Sequence, residues 1–252
     1  GDSTALKHWM MSMPPAQHGT AYFNFIASHD GIGLRPVEGL LDQVQIAEMV
    51  STTAKYGGKV SLRTAPDGTN TPYELNIALF DALQGTHQGP DKWGVERFLC
   101  AHAIMFALEG IPGLYIHSLL GTTYDYERFE NSQHNRAINR HRWQESDLLA
   151  KLSNENAHHR TVFKAMKNLM AIRKAQSAFH PNATQYTLHI SDGLFGFWRQ
   201  SINRSQSMFC IYNITDESKT LTLADLNLIE TESWKDLISG QVIEENTQNI
   251  VL

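Results

Sequence analysis

Hydrophobic and aromatic residues form two short runs in the first part of the chain, and each run predicts a β-strand. Residues 22–28 are rich in aromatic and β-forming side chains and end at the polar His29, Asp30 and Gly31. This pattern predicts a buried strand that carries polar groups at its C-terminal end. A second short strand is predicted at residues 113–117.

Apolar residues at helical spacing predict three helices, in segments 41–50, 95–106 and 162–173. Glycines or a proline follow the first two segments and end the periodic pattern. The stretch 59–72 is polar and contains a favourable turn sequence at 66–69, so we expect an exposed loop there. Strands that alternate with helices are typical of a parallel sheet covered by helices.

The pattern changes near residue 180, where short alternating runs are separated by turn residues. Alternation with a period of two predicts strands with one buried face. We expect these strands at 184–190, 194–200, 208–214, 220–223 and 249–252. The predicted domains are therefore residues 1–179, which are α/β, and residues 180–252, which form a small antiparallel β domain.

Two parallel strands are too few for the first predicted domain to be complete. Two strands cannot close a barrel, and they cannot form an open sheet with both faces covered. We therefore expect further strands upstream, and the first residue is not Met. The sequence predicts the C-terminal part of a larger protein.

Composition and charge exclude some classes of binding partner. Of 252 residues, 42% are hydrophobic and 19% charged, which is ordinary for a globular protein. The formal net charge of −5 argues against nucleic acid or an anionic membrane, because no basic excess attracts phosphates. The sequence shows no secretory signal and no membrane span. Cys100 and Cys210 match no disulfide framework or zinc spacing. We expect a cytoplasmic protein without a metal or other cofactor, and a substrate that is neutral or a small anion.

His29 and Asp30 are the first candidates for chemistry. They directly follow a predicted strand, and the carboxyl ends of barrel strands are where such folds carry catalytic groups. The alternative is a turn in which Asp30 caps backbone amides and the glycines supply positive φ angles. The dipeptide alone does not decide between the two.

Three arginines follow in the segment 135–142, and their planar groups suit carboxylates, phosphates or sugar hydroxyls. They are Arg136, Arg140 and Arg142. The alternative is a solvated helix start that pairs with nearby acids, namely Glu127, Glu130 and Glu145. Residues 124–127 combine two tyrosines with two carboxylates, which suits a sugar face but equally an ordinary loop.

Four sequence segments, in order, resemble the α-amylase family, glycoside hydrolase family 13, and within it the branch of sucrose and glucosylglycerate phosphorylases. They are FIASHDGIG at 25–33, YELN at 73–76, LEGIPGLYI at 108–116 and NRAINR at 135–140. The ordered set is more specific than any single segment, and it spans roughly residues 20–145.

The resemblance implies a (β/α)₈ barrel, of which this chain holds about strands seven and eight, with residues 31–85 as an inserted subdomain. It implies that Asp30 stabilises an oxocarbenium-like transition state, that His29 binds sugar hydroxyls, and that Arg136 holds the glucosyl ring. Tyr73 and Glu74 fall at the acceptor side. Glu74 stands where sucrose phosphorylases carry Gln, and a carboxylate there disfavours phosphate and favours a hydroxyl-rich partner.

The resemblance further implies a retaining transfer of an α-glucosyl unit from sucrose or a related α-glucoside, such as glucosylglycerate, to inorganic phosphate. This mechanism needs a nucleophilic carboxylate and a separate acid/base. In the family both lie on earlier strands, so we expect this chain alone to be inactive. We also expect a partial barrel to self-associate or to pair with a missing N-terminal segment. The alternatives are a hydrolase or transglycosylase of the same family and a non-catalytic carbohydrate-binding fragment.

Overall fold

A computed structural model describes residues 1–64, 66–226 and 232–252. The α-helices are Thr4–Ser12 (α1), Gln43–Lys55 (α2), Leu79–Ala82 (α3), Gly94–Ala107 (α4), Ile116–Leu119 (α5), Tyr126–Ser132 (α6), Glu145–Ser153 (α7) and His158–Ala175 (α8). Short 3₁₀ helices lie at Arg35–Val37, Asn135–Asn139, Ser177–Phe179 and Leu223–Leu226.

The strands are short. They are Phe23–Asn24 (β1), Ile32–Gly33 (β2), Lys59–Thr64 (β3), Asn70–Asn76 (β4), Gly85–Thr86 (β5), Gly89–Pro90 (β6), Ile111–Pro112 (β7), Thr184–Thr187 (β8), Leu194–Gln200 (β9), Ser207–Asn213 (β10), Thr220–Thr222 (β11), Trp234–Lys235 (β12), Val242–Ile243 (β13) and Asn249–Val251 (β14). The structure is mixed α/β with several antiparallel sheets.

The chain divides into two compact units. Unit 1 comprises Gly1–Asn24, Ala103–Pro112 and Asn168–Leu252, and unit 2 comprises Phe25–His102 and Gly113–Lys167. The boundaries of these units differ from those of the predicted domains, residues 1–179 and 180–252. The predicted domains stay a prediction.

Antiparallel sheets make up the C-terminal part of unit 1. Strand β9 pairs with β8 on one side and β10 on the other, β11 pairs with β14, and β12 pairs with β13. Leu194, Phe195 and Phe197 of β9 are completely buried. The strands predicted from alternation after residue 180 are confirmed as β8, β9, β10, β11 and β14, whose ends differ slightly from the prediction, whereas the alternation gave no indication of β12 and β13.

Unit 1 also contains the parallel pair β1–β7, in which Phe23 lies opposite Ile111. The prediction of a buried strand over 22–28 is wrong in length and burial, since the strand has 2 residues and Phe23 is 65% exposed. The predicted strand at 113–117 is also displaced. Gly110, at φ +110°, allows close approach to Tyr22, and a Cβ there would lie 2.6 Å from the Tyr22 carbonyl oxygen. Pairing therefore begins at once at Ile111, whose N–H donates to that oxygen.

Unit 2 contains an antiparallel sheet in the order β2–β4–β3. The polar stretch 59–72 is thus largely a hairpin, and the predicted exposed loop is wrong there. The hairpin buries only its end near Asn76, so most of its residues are polar and lack the apolar alternation of an ordinary strand. The predicted turn is present: Asp67 accepts hydrogen bonds from the Thr69 N–H and hydroxyl, and Gly68 has φ +86°.

The helices predicted at 41–50, 95–106 and 162–173 are confirmed as α2, α4 and α8. Helix α2 begins with a reciprocal capping box, in which Asp42 accepts from the Gln45 N–H and Gln45 accepts from the Asp42 N–H. Within the described residues, no helix combines the length and the apolarity that a bilayer crossing requires.

Two arginines, the buried Arg199 and the partly buried Arg173, stabilise the end of α4 in unit 1. Arg199 of β9 is completely buried and donates to the carbonyl oxygens of Ala107 at 2.6 Å and His180 at 2.8 Å. Arg173 donates to the carbonyl oxygens of Phe106 and Gly110. Cations suit a helix C-terminus because its last carbonyls lack partners and carry partial negative charge. Burial nevertheless lowers the pKa of Arg199 to about 10.

We expect Arg199→Met to lower the free energy of unfolding by at least about 3 kcal/mol, because it leaves buried carbonyls without donors. Thermal and urea denaturation measure the change. Arg142→Met is the matched control: Arg142 is exposed, so its loss should change stability by less than about 0.5 kcal/mol. Equal effects of the two substitutions would contradict a structural role for Arg199.

Candidate functional site

The candidate site lies in unit 2. Hydrogen bonds fix the backbone around Asp30. The buried Asn139 donates through its side-chain amide to the carbonyl oxygens of Ser28 at 2.7 Å and Asp30 at 3.2 Å. The Asp30 N–H donates to the Ser28 hydroxyl. These bonds fix the segment that presents the His29 and Asp30 side chains, which are 71% and 39% exposed.

Glu74 of β4 lies beneath this segment with 5% of its side chain exposed. It occupies the position opposite Gly33 in the β2–β4 pair, and its Oε1 accepts from the Gly31 N–H at 3.1 Å. A Cβ on Gly31 would lie 2.5 Å from the Leu75 carbonyl oxygen and 2.8 Å from Glu74 Oε1. Glycine at position 31 is therefore required for the close approach of these two strands.

Arg136, in the 3₁₀ helix Asn135–Asn139, connects Glu74 to Asp30. Its Nε donates to Glu74 Oε1 at 2.9 Å and its Nη2 to Oε2 at 2.7 Å, which is a bidentate pair. Its Nη1 lies 2.7 Å from Asp30 Oδ1, and Nη2 also donates to the Tyr73 hydroxyl at 3.3 Å. One guanidinium thus contacts two carboxylates and a phenol.

The pair shifts the titration of both partners. Burial acts to raise the pKa of Glu74, but hydrogen bonds, chiefly those from Arg136, outweigh it and hold the pKa below its ordinary value. The same hydrogen bonds raise the pKa of Arg136. Both groups are consequently charged at neutral pH.

Arg140 is a second cation at Asp30, and sequence reasoning did not assign it to the site. Its Nε donates to the His29 carbonyl oxygen at 2.7 Å, and its Nη2 donates to Asp30 Oδ1 at 3.3 Å. Its acidic partner is therefore Asp30, the candidate catalytic carboxylate. Residue spacing gave no signal for Arg140, because Arg136 lies in a 3₁₀ helix, in which residues three apart, not four, share a side.

The predicted site residues His29, Asp30, Tyr73, Glu74 and Arg136 are therefore brought together, and their roles toward a ligand stay predictions. The alternative in which Arg136 and Arg140 pair with nearby acids on a solvated helix start is contradicted, because their ion pairs are with Asp30 and Glu74.

Residues 124–127 pack within unit 2. Asp125 caps α6 by accepting from the Arg128 N–H, and it also contacts His141. The Tyr126 hydroxyl donates to the Gly57 carbonyl oxygen. The interpretation as an ordinary structural segment is favoured over a sugar face.

A concave region of about 390 Å³ adjoins the Arg136 side of the site. Hydroxyl, amide and imidazole groups line it together with the guanidinium of Arg136. The lining residues are Ser61, Tyr73, Gln133, His134, Asn135 and Arg136. In the described part of the chain, no group of three or more His, Cys, Asp or Glu side chains is arranged to hold a metal ion.

Asp81 is a buried carboxylate that contacts the backbone of Tyr124. Its Oδ2 accepts from the Tyr124 N–H at 2.7 Å, and the residue is 7% exposed. Burial raises the pKa of Asp81 to about 7. Within the described residues, no cation forms an ion pair with it, which agrees with this direction.

No family model matches the chain. A glucosylglycerate phosphorylase of Allomeiothermus silvanus is 36% identical over 235 residues, which are 93% of this chain and 41% of that protein. A glucosylglycerate phosphorylase of Escherichia coli is 30% identical over 94% of this chain and 42% of its own length. A sucrose phosphorylase of Streptococcus mutans is 27% identical over 69% of this chain.

The solved structures agree in fold. The sucrose 6F-phosphate phosphorylase from Thermoanaerobacter thermosaccharolyticum matches 100% of this chain and 44% of its own, with a TM-score of 0.70 and 20% identity. The AmyP protein in complex with maltose matches 69% of this chain with a TM-score of 0.52 and 17% identity.

The chain shares the fold of these solved structures. More particularly, the chain is homologous to the glucosylglycerate and sucrose phosphorylases, which confirms the resemblance drawn from its sequence segments. It spans about two fifths of the length of the curated relatives it matches.

We expect Asp81→Asn to stabilise the protein at pH 8 by on the order of a few kcal/mol and to lose this advantage toward pH 5. The folded protein holds a proton on Asp81 up to about pH 7, whereas an unfolded Asp, with a pKa near 3.8, releases it. Stability contributed at this position therefore falls as the pH rises from about 4 to about 7. The Asn oxygen still accepts from Tyr124.

Thermal denaturation at pH 5 and pH 8 measures the difference. Asp67→Asn is the control, because hydrogen bonds from Thr69 lower the pKa of this exposed carboxyl and the substitution should bring no gain at pH 8. A gain for Asp81→Asn that is the same at both pH values would contradict the titration of Asp81.

Proposed function

We propose that the protein containing this chain is a retaining phosphorylase that transfers an α-glucosyl unit from sucrose or a related glucoside, such as glucosylglycerate, to inorganic phosphate. The carrying observation is the ion-pair network in which Arg136 joins Asp30 to Glu74. The similarity to glucosylglycerate and sucrose phosphorylases supports the reaction class. This chain would contribute the groups that stabilise charge and hold the sugar.

In the proposed reaction, a carboxylate outside this chain attacks the glucosyl carbon while a general acid donates a proton to the leaving oxygen. The glycosidic bond breaks and a glucosyl–carboxylate ester forms. A phosphate oxygen then attacks the same carbon, and the carboxylate leaves, so the product is glucose 1-phosphate with net retention. Positive charge develops at the sugar carbon in both steps, and the negative charge of Asp30 stabilises it.

We further propose that the parallel pair β1–β7 is part of a (β/α)₈ barrel. Phe23 and Ile111, which lie opposite each other in this pair, are 65% and 49% exposed. Apolar side chains of this size on a parallel sheet are normally covered on both faces. Neighbouring barrel strands and helices in the whole protein would cover them. The cytoplasmic location and the absence of a cofactor stay predictions from the sequence.

The test uses the full-length protein that carries this sequence, supplied with phosphate and either sucrose or glucosylglycerate. We expect glucose 1-phosphate, whereas free glucose would identify a hydrolase and an unchanged glucoside would contradict the proposal. Asp30→Asn should lower kcat by at least about 100-fold and change KM little, because its charge matters most in the transition state. An unchanged kcat would remove Asp30 from the mechanism.

A further inference from the structure

We propose that Glu74 is a positioning residue that acts through Arg136 and sets the orientation and the available negative charge of Asp30, rather than a residue that contacts the acceptor. This inference rests on the proposed function. It changes the role expected from the sequence, in which Glu74 faces phosphate or the acceptor.

Glu74 has little capacity left for a ligand. Its side chain is 5% exposed, and both of its oxygens already accept hydrogen bonds. Oε1 accepts from the Gly31 N–H and from Arg136 Nε, and Oε2 accepts from Arg136 Nη2. A phosphate or sugar hydroxyl reaching Glu74 would have to displace Arg136 first.

The bidentate pair determines where the rest of the guanidinium points. Because Nε and Nη2 are held along one edge of a planar group, the position of Nη1 follows from the position of Glu74. Nη1 is the atom that lies 2.7 Å from Asp30 Oδ1. Glu74 also accepts from Gly31, the residue after Asp30. One buried carboxylate therefore holds both the backbone next to Asp30 and the cation on its side chain.

The charges lead to the same conclusion. Asp30 Oδ1 lies near two cations, Arg136 at 2.7 Å and Arg140 at 3.3 Å. Two unbalanced guanidinium groups would cancel the negative charge that a positively charged transition state needs. Glu74 balances one of them, so the side chains of Asp30, Glu74, Arg136 and Arg140 together carry no net charge. Asp30 can then still present a negative electrostatic potential to the sugar.

A double-mutant cycle in the full-length protein tests this role. Glu74→Gln should lower kcat about 10–100-fold with the KM for the glucoside and for phosphate changed less than about 3-fold, because Arg136 becomes an unbalanced and less oriented cation. In an Arg136→Met background, the same Glu74→Gln substitution should change kcat less than about 3-fold, since the guanidinium that Glu74 positions is then absent.

Glu74→Asp keeps the charge and should restore part of the lost kcat. Glu38→Gln is the matched control: Glu38 pairs with Arg63 at 2.8 Å in the same unit, but both side chains are about half exposed, so kcat should not change. A changed KM for phosphate, or a changed ratio of phosphorolysis to hydrolysis at unchanged kcat, would show direct acceptor contact and overturn the inference.

Additive effects of Glu74→Gln and Arg136→Met on kcat would also overturn the inference. These outcomes are separate from a failure of the proposed function. That failure would appear in the unsubstituted protein as the absence of glucose 1-phosphate, whereas the cycle is interpreted in a protein that forms this product.

Discussion

The bidentate ion pair between Glu74 and Arg136 is the interaction on which the arrangement of the candidate site depends. It joins a strand and a 3₁₀ helix that are 62 residues apart in the chain. The same two residues reach Gly31 and Asp30, so three chain segments meet at one buried carboxylate. A buried carboxylate is costly without partners, and here each oxygen has at least one donor. Any other arrangement would leave the buried Glu74 carboxylate without some of these donors, so the observed geometry is strongly preferred.

In unit 1, guanidinium groups also hold separate chain segments together, but they bind main-chain carbonyls instead of carboxylates. Arg199 and Arg173 donate to main-chain carbonyls near the end of α4. In both units a guanidinium organises segments that are far apart in sequence, because its fixed array of donors can satisfy several acceptors at once. The difference lies in exposure: Arg199 is sealed, whereas the Arg136 side chain is 31% exposed. The guanidinium of Arg136 is therefore more accessible to a ligand than that of Arg199.

Comparison with a solved structure shows how far the sequence can differ while the fold is kept. The solved phosphorylase shares the fold along the whole chain at only 20% identity, so the fold tolerates extensive substitution. A glucosylglycerate phosphorylase is 36% identical to this chain, which is a closer similarity in sequence than that of the solved structure.

Local periodicity in the sequence determined the helices α2, α4 and α8, the strands β8–β11 and β14, and the turn at 66–69, because these depend on neighbours within a few positions. The ordered segments also identified His29, Asp30 and Arg136 as members of one site. Tertiary structure alone decided that the polar stretch 59–72 is largely a hairpin and that Arg140 lies on Asp30, across 110 residues. It also decided that Glu74 is buried beneath Arg136. Such contacts depend on which groups must share a buried space, and residue spacing carries no record of that.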